Sequence, residues 1–87
     1  MNLKSIYVGN LFYGAMEKEV RELFSHHGHV ETVRFIIDWK KGRFRGFGFV
    51  EMPEADADRA IAALNNHPFQ GRPLRVRAAQ QAQAAVA

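Results

Sequence analysis

Hydrophobic and polar residues alternate in four short segments of the chain. In residues 4–9, Ile6 and Val8 point to one side and Ser5 and Tyr7 to the other. The same period of two residues runs through 30–38, 45–52 and 74–78. This period is typical of a half-buried β-strand, because successive side chains point to opposite faces of a sheet. The pattern therefore predicts four strands.

Apolar residues recur at helical spacing in two further segments, 16–28 and 53–66. The helical positions are Val20, Leu23, Phe24 and His27 in the first segment and Ala57, Ala60, Ile61 and Leu64 in the second. Gly28 stands where a C-terminal helix cap is expected, and Pro53 permits a helix start. The order βαββαβ predicts an α+β, ferredoxin-like two-layer sandwich, with a four-stranded antiparallel sheet and both helices on one face.

Residues 1–79 are predicted to form this one domain, and residues 80–87 an Ala/Gln-rich C-terminal tail. Eighty-seven residues are too few for a second domain of ordinary size. The composition of the tail favours a frayed end, with a short helix folding back on the domain as the alternative.

Two helices can cover only one face of a four-stranded sheet, so the other face is predicted to contact solvent. The aliphatic helix positions are expected to pack on Ile6, Val8, Val50 and Met52, with Gly48 allowing a helix to approach closely. The residues of opposite parity are Tyr7, Arg34, Ile36, Phe47, Phe49, Glu51, Arg75 and Arg77. The exposed face is therefore expected to carry three aromatic rings beside several arginines.

Charge follows the same division between the two faces. The formal net charge is +3, but the two helical segments hold six acidic and three basic residues, which leaves +6 for the rest of the chain. This separation indicates a basic surface away from the helices, although acidic residues also favour helix N-termini for local reasons. Exposed rings stack on bases and arginines neutralise phosphates, so the face suits single-stranded nucleic acid. The alternative is a cover formed by the tail, a partner protein or a second copy.

Several other classes of function are disfavoured. The chain contains no cysteine, which excludes disulfides and thiolate metal sites, and no apolar run approaches the ~20 residues of a membrane span. We expect a soluble, cytoplasmic protein without membrane partners. His26, His27 and His29 lack a converging set of further ligands, so neither a metal nor another cofactor is predicted. No nucleophile–base pair lies on the predicted exposed face, which indicates that the protein is not an enzyme.

Two motifs resemble the RNA recognition motif family. The segment "RGFGFVEM" (45–52) matches seven of the eight positions of the pattern K/R-G-F/Y-G/A-F-V-x-F/Y. The segment "IYVGNL" (6–11) is similar to the family's hexamer, and the resemblance extends over roughly residues 3–79. The chain looks like the small stand-alone members of the family that are common in bacteria. The resemblance implies that single-stranded RNA is the partner and that single-stranded DNA competes for the same face. We expect the protein to be a monomer. The alternative is a protein-interaction domain.

The resemblance also implies roles for individual residues. Tyr7, Phe47 and Phe49 would stack on bases, and Arg45 would pair with a phosphate. The flanking positions would be Arg34, Ile36, Arg75 and Arg77, with base contacts from the backbone of Ala79 and Gln80. Three departures from the family stand out: Met52 replaces an aromatic residue at an inward position, Asn66 replaces a glycine, and the loop carries Trp39 and Phe44.

The loop residues have two interpretations. Trp39 and Phe44 could add stacking surface beside Lys40, Lys41 and Arg43, or they could pack on the protein itself. Packing is favoured for Phe44, while both interpretations stay open for Trp39. Lys40, Arg43 and Trp39 are included among the predicted RNA-binding residues.

Overall fold

The computed structural model describes residues 2–38 and 40–79 of the 87-residue chain. Trp39, Gln80 and the remainder of the predicted tail lie outside the described residues, as do the predictions made for them. The elements are β1 (Leu3–Gly9), α1 (Glu17–Ser25), β2 (Thr32–Asp38), β3 (Arg43–Pro53), α2 (Glu54–Leu64), β4 (Pro68–Phe69), β5 (Arg72–Pro73) and β6 (Arg75–Ala78).

The main sheet has four antiparallel strands in the order β2-β3-β1-β6. The central strands β1 and β3 carry the two sequence motifs next to each other. Tyr7 lies opposite Phe49 on one side and Arg77 on the other, while Val8 lies opposite Gly48 and Val76. The predicted α+β sandwich is confirmed, and its fourth predicted strand is β6.

The hydrophobic core lies between the inner face of the sheet and the two helices. Its members are all less than a tenth exposed; those from the strands are Ile6, Val8, Val50, Met52 and Val76, and those from the helices are Val20, Phe24, Ala57, Ala60 and Leu64. Met52 is fully buried, as its inward parity predicts. The residues with odd numbers on β1 and β3 therefore point to the opposite, solvent side.

Helix α1 ends earlier than the pattern predicts. Its last residue is Ser25 and its C-cap is His26, so Gly28 lies two residues beyond the cap rather than forming it. His27 follows the helix and is half-buried instead of belonging to an inward helical stripe. The hydrophobic period continues past the point where the backbone leaves the helix, so the period alone overestimates the helix length.

The reason for Gly48 differs from the one expected. A side chain at this position would collide with the carbonyl oxygen of Arg34, and its Cβ would lie 3.0 Å from Cδ1 of Phe35. Both residues belong to the neighbouring strand β2, not to a helix. Gly48 therefore leaves room for strand β2 and its Phe35 ring, and the atoms nearest to it belong to this strand rather than to a helix.

A small hairpin lies between α2 and β6, in a segment where the hydrophobic pattern predicts neither a strand nor a helix. Strands β4 and β5 pair through Pro68 with Pro73 and Phe69 with Arg72. The two residues between them, Gln70 and Gly71, have φ values of 52° and 85°. Positive φ at both central positions is typical of a type I′ turn, which matches the twist of two-residue hairpins.

Side-chain hydrogen bonds connect the hairpin to the rest of the domain. The Asn10 side chain accepts two hydrogen bonds from Arg72, at 2.8 and 3.2 Å, and donates one to the carbonyl of Pro73 at 2.7 Å. The Gln70 side chain and the backbone N–H of Met16 lower the pKa of the Glu19 carboxyl. The end of β1 and the start of α1 are thereby joined to the hairpin.

Asn66, which replaces a glycine of the family, adopts the left-handed conformation with φ of 69°. Asparagine tolerates this region better than most residues because its short polar side chain bonds locally. Within the described residues, no helix combines the length and the apolar character needed to cross a bilayer.

Candidate nucleic-acid interface

Three aromatic rings meet on the outer face of β1 and β3. The ring centroids of Tyr7 and Phe47 are 5.6 Å apart, those of Tyr7 and Phe49 are 6.1 Å apart, and those of Phe47 and Phe49 are 6.2 Å apart. All three side chains are half-buried. We call these three residues the aromatic platform.

The sequence places these rings together through strand parity and register. Phe47 and Phe49 are two residues apart on β3, so they share a face. Tyr7 lies directly opposite Phe49 on the adjacent antiparallel strand. The rings tilt against one another at interplanar angles of 34°, 68° and 86°. The two contacts of Phe49 are edge contacts, which stabilise aromatic pairs.

Arginines flank the platform on both outer strands. The guanidinium carbon of Arg77 lies 4.8 Å from the centroid of the Tyr7 ring, within cation–π distance. On the other side, Arg34 is exposed and lies opposite Phe49. Arg75 is exposed opposite Gly9 on β1. Ile36 lies two residues beyond Arg34 on β2 and is half-buried beside a register shift in the sheet.

These arginines differ from the basic residues on the helix side in their partners. On the helix side, Lys4 pairs with Asp58 at 2.7 Å and Arg59 pairs with Asp56. No carboxylate among residues 2–38 and 40–79 forms an ion pair with Arg34, Arg75 or Arg77, nor with Arg43 or Arg45. Positive charge on the sheet face is therefore available to an anionic ligand.

The beginning of β3 adds further basic residues at one end of the sheet. Arg43 and Arg45 are exposed, and Lys40 is exposed in the preceding loop. Gly46 adopts φ of 84° where the register between β2 and β3 shifts, and its carbonyl accepts the Leu11 N–H at 2.9 Å. This bond fixes the end of the first motif against the start of the second.

Phe44 is half-buried and packs on the protein itself. Its ring stacks on Phe35 with centroids 4.4 Å apart and an interplanar angle of 15°. Both rings pack against the hydrophobic core. The packing interpretation of Phe44 is confirmed. Its neighbour Arg43 lines a cleft of about 590 Å³ together with Phe44 and Tyr13, a ring that is 80% exposed.

One polar group lies next to the platform without having been predicted as a site residue. The Glu51 carboxylate is on the same face as Phe49, two residues further along β3. It accepts a hydrogen bond from the Thr32 hydroxyl at 3.0 Å and another from the Ser5 hydroxyl at 3.3 Å. Strand parity alone places Glu51 on this face, but its partners depend on the register of three strands.

The outer face is thus aromatic at its centre and basic at its flanks. Among the described residues, no three His, Asp or Glu side chains are grouped as a metal site requires. A family model described as RNA recognition motif matches residues 6–75. The chain belongs to the RNA recognition motif family. The resemblance inferred from its two motifs is confirmed.

Relatives of this RNA recognition motif include short and long proteins. The chain is 46% identical over 78 residues to RNA-binding protein RbpA of Synechocystis, covering 87% of this chain and 76% of that protein. It is 43% identical over 77 residues to the 28 kDa chloroplastic ribonucleoprotein of Nicotiana sylvestris. That match covers 87% of this chain but only 28% of the longer relative.

Solved structures show the same fold. RNA binding protein PG1 superposes with a TM-score of 0.85 at 48% identity, covering 90% of this chain and 95% of that chain. An Sxl-lethal protein/RNA complex superposes with a TM-score of 0.80 at 33% identity, covering 87% of this chain and 47% of that chain. In this RNA recognition motif, the octamer 45–52 lies on β3 and the hexamer 6–11 begins on the adjacent β1.

Proposed function

We propose that this RNA recognition motif binds single-stranded RNA on its aromatic platform. The observation that carries the proposal is the group of three adjacent, half-buried rings with the Arg77 guanidinium 4.8 Å from one of them. Such rings would be costly to leave against water without a function, and each can accept the face of a base. The Sxl-lethal protein/RNA complex of the same fold supports an RNA ligand.

The division of labour between residue types follows from their chemistry. Bases stack on the rings with ~1–3 kcal/mol per base, and this term depends little on base identity. Phosphates then pair with the flanking residues, which we propose to be Arg34, Arg75, Arg77 and Arg45 on the strands, with Lys40 and Arg43 at the loop. The platform is large enough for about two to four nucleotides.

A single strand is preferred over a duplex because a duplex hides the base faces inside its own stack. Aromatic rings do not contact the 2′-hydroxyl selectively, so we propose that single-stranded DNA binds to the same face more weakly or equally well. Ile36 contributes apolar surface at the edge of the platform. Trp39 and Gln80 are proposed as additional contacts from their positions in the sequence alone.

We further propose that the chain acts as a monomeric binding protein rather than as an enzyme. The similarity to cyanobacterial relatives of comparable length supports a cytoplasmic location, although chloroplast relatives also exist. Light scattering would show a single chain in solution if the proposal holds. A dimer that dissociates on addition of RNA would indicate instead that the platform is covered by a second copy.

The proposal is tested by following backbone amide NMR signals during titration with a short single-stranded RNA. We expect the largest shifts at Tyr7, Phe47 and Phe49 and at the neighbouring residues of β6. Signals from the solvent side of α2, such as Ala62 and Ala63, serve as the internal control because they lie on the other side of the molecule. Shifts confined to the helices would refute the sheet face as the binding site.

A further inference from the structure

We propose that Glu51 gives the platform a preference for guanine by accepting hydrogen bonds from the edge of a stacked base. This inference rests on the proposed RNA-binding function and adds a specificity to it. Glu51 is an acidic residue on a face that is otherwise suited to a polyanion. Its carboxylate would repel phosphate, so a favourable contact with RNA requires a hydrogen-bond donor on a base.

The position of Glu51 puts it within reach of such a base. Two residues along a strand span about 7 Å, and Glu51 and Phe49 share the outer face of β3 at this spacing. A base stacked on Phe49 therefore presents one of its edges towards the carboxylate. Arg34 and Tyr7, on either side of Phe49, are placed for the phosphate and for the next base.

The carboxylate is oriented by the two neighbouring strands. The Ser5 hydroxyl donates to Oε2 at 3.3 Å from β1, and the Thr32 hydroxyl donates to Oε1 at 3.0 Å from β2. Ser5 and Thr32 are both directly opposite Glu51 in the register of the sheet. Because each oxygen accepts one bond from the protein, each retains a lone pair for a ligand. The side chain is half-buried, which limits competition from water.

The chemistry of an ionised carboxylate selects among the four bases. It accepts hydrogen bonds and cannot donate them, so two adjacent donors make the best partner. Guanine alone presents two adjacent donors on its Watson–Crick edge, N1–H and the N2 amino group. Adenine and cytosine each place a ring acceptor beside their amino group, and uracil places its single N–H between two carbonyls. A guanine on Phe49 can thus form a paired, charge-assisted contact.

The first experiment uses the wild-type protein and labelled RNA hexamers in fluorescence anisotropy. A uridine hexamer is compared with hexamers that carry one guanosine, inosine, adenosine or cytidine at each internal position. We expect guanosine at one position to bind about tenfold more tightly than uridine, the gain typical of a paired base contact. Inosine, which retains N1–H but lacks the N2 amino group, should bind roughly threefold more weakly than guanosine because one of two bonds is lost.

The second experiment repeats the series with Glu51→Gln, and with Glu31→Gln as the matched control. Glu31 is exposed just before β2, contacts His29, and loses the same charge on substitution. We expect the guanosine preference to fall below about threefold in Glu51→Gln. The backbone N–H of Glu31 donates to the carbonyl of Glu51 at 2.8 Å, a bond that the substitution keeps, while its carboxylate bonds His29. The Glu31→Gln variant should therefore keep the tenfold preference, since removal of this charge strengthens binding of all the hexamers alike.

The outcomes separate this inference from the proposed function. If the wild type binds every hexamer with equal affinity, or if Glu51→Gln keeps the full guanosine preference, the role of Glu51 is refuted while RNA binding stands. If the wild type binds none of the hexamers, both proposals are refuted. Thermal melts verify the fold of the variants. Equal binding of guanosine and inosine by the wild type would refute the role of Glu51 even if a variant fails to fold.

Discussion

Phe49 and Val50 are neighbours in the chain but point to opposite faces of the sheet. Substitution of one is therefore expected to affect mainly RNA binding, and substitution of the other mainly stability. Val50 is 1% exposed in the core, whereas Phe49 contacts the rings of Tyr7 and Phe47 on the outer face. We expect Val50→Ala to lower the free energy of unfolding with little effect on RNA binding. We expect Phe49→Leu to weaken RNA binding with a smaller effect on stability.

The magnitudes follow from what each substitution removes. Val50→Ala deletes two buried carbons, worth ~0.8 kcal/mol each, and adds a cavity, for a loss of about 2–3 kcal/mol. In a domain of this size that lowers Tm by about 10–20 °C. Phe49→Leu keeps an apolar side chain but loses its ring contacts, for a loss of about 1 kcal/mol in stability. Its lost stacking is worth about 1–2 kcal/mol, or roughly five- to thirtyfold in Kd.

The assay combines urea unfolding with RNA anisotropy on both variants, at a temperature where each is folded. Equal weakening of RNA binding by the two substitutions would refute the assignment of the faces. The same holds if Phe49→Leu lowers the free energy of unfolding more than Val50→Ala does, since the ring would then belong to the core.

Three further results are expected from other parts of the molecule. Arg75→Gln should reduce the slope of log K against log salt concentration by about 0.7 if Arg75 contacts one phosphate. Arg59→Gln removes an arginine that is paired with a helix carboxylate and should leave this slope unchanged. Equal slopes for both variants would exclude a phosphate contact at Arg75. Gly46→Ala should lower the free energy of unfolding by about 1–2 kcal/mol in urea titrations, because φ at this position is 84° and a side chain is strained there. An unchanged free energy of unfolding would contradict this strain. Because hydrogen bonding lowers the pKa of Glu19 below its usual 4.5, the resulting stability is present above that value and lost as pH falls through the lowered pKa. Acid unfolding of Glu19→Gln should therefore lack part of this pH dependence, and an unchanged acid profile would show that the carboxylate bonds contribute nothing.

Much of the fold follows from hydrophobic periodicity. Alternation of hydrophobic and polar residues with a period of two predicts all four strands of the main sheet, and apolar residues at helical spacing predict both helices. Parity then predicted which side chains of β1 and β3 lie outside, including Tyr7, Phe47 and Phe49. This succeeds because burial of one face is a strong constraint: a shift of one residue would expose the entire apolar set.

Features that depend on contacts between distant segments were not predictable from such patterns. The β4–β5 hairpin has two residues per strand, too few to show a period, and is identified by its strand pairing, its turn geometry and its bonds to Asn10. The collision that requires glycine at position 48 involves β2 rather than a helix. The partners of Glu51 come from two different strands, so its orientation depends on register.

The main proposal is that the outer face of the sheet binds single-stranded RNA through its rings. Its most direct test is a fluorescence-anisotropy titration of a labelled, randomised single-stranded RNA pool with the wild type and with a Phe47→Ala/Phe49→Ala variant, both verified as folded. We expect the wild type to bind and the variant to lose at least about 2 kcal/mol of binding free energy, roughly thirtyfold in Kd, because two stacking contacts are removed. Equal binding by both proteins, or binding by neither, would contradict it.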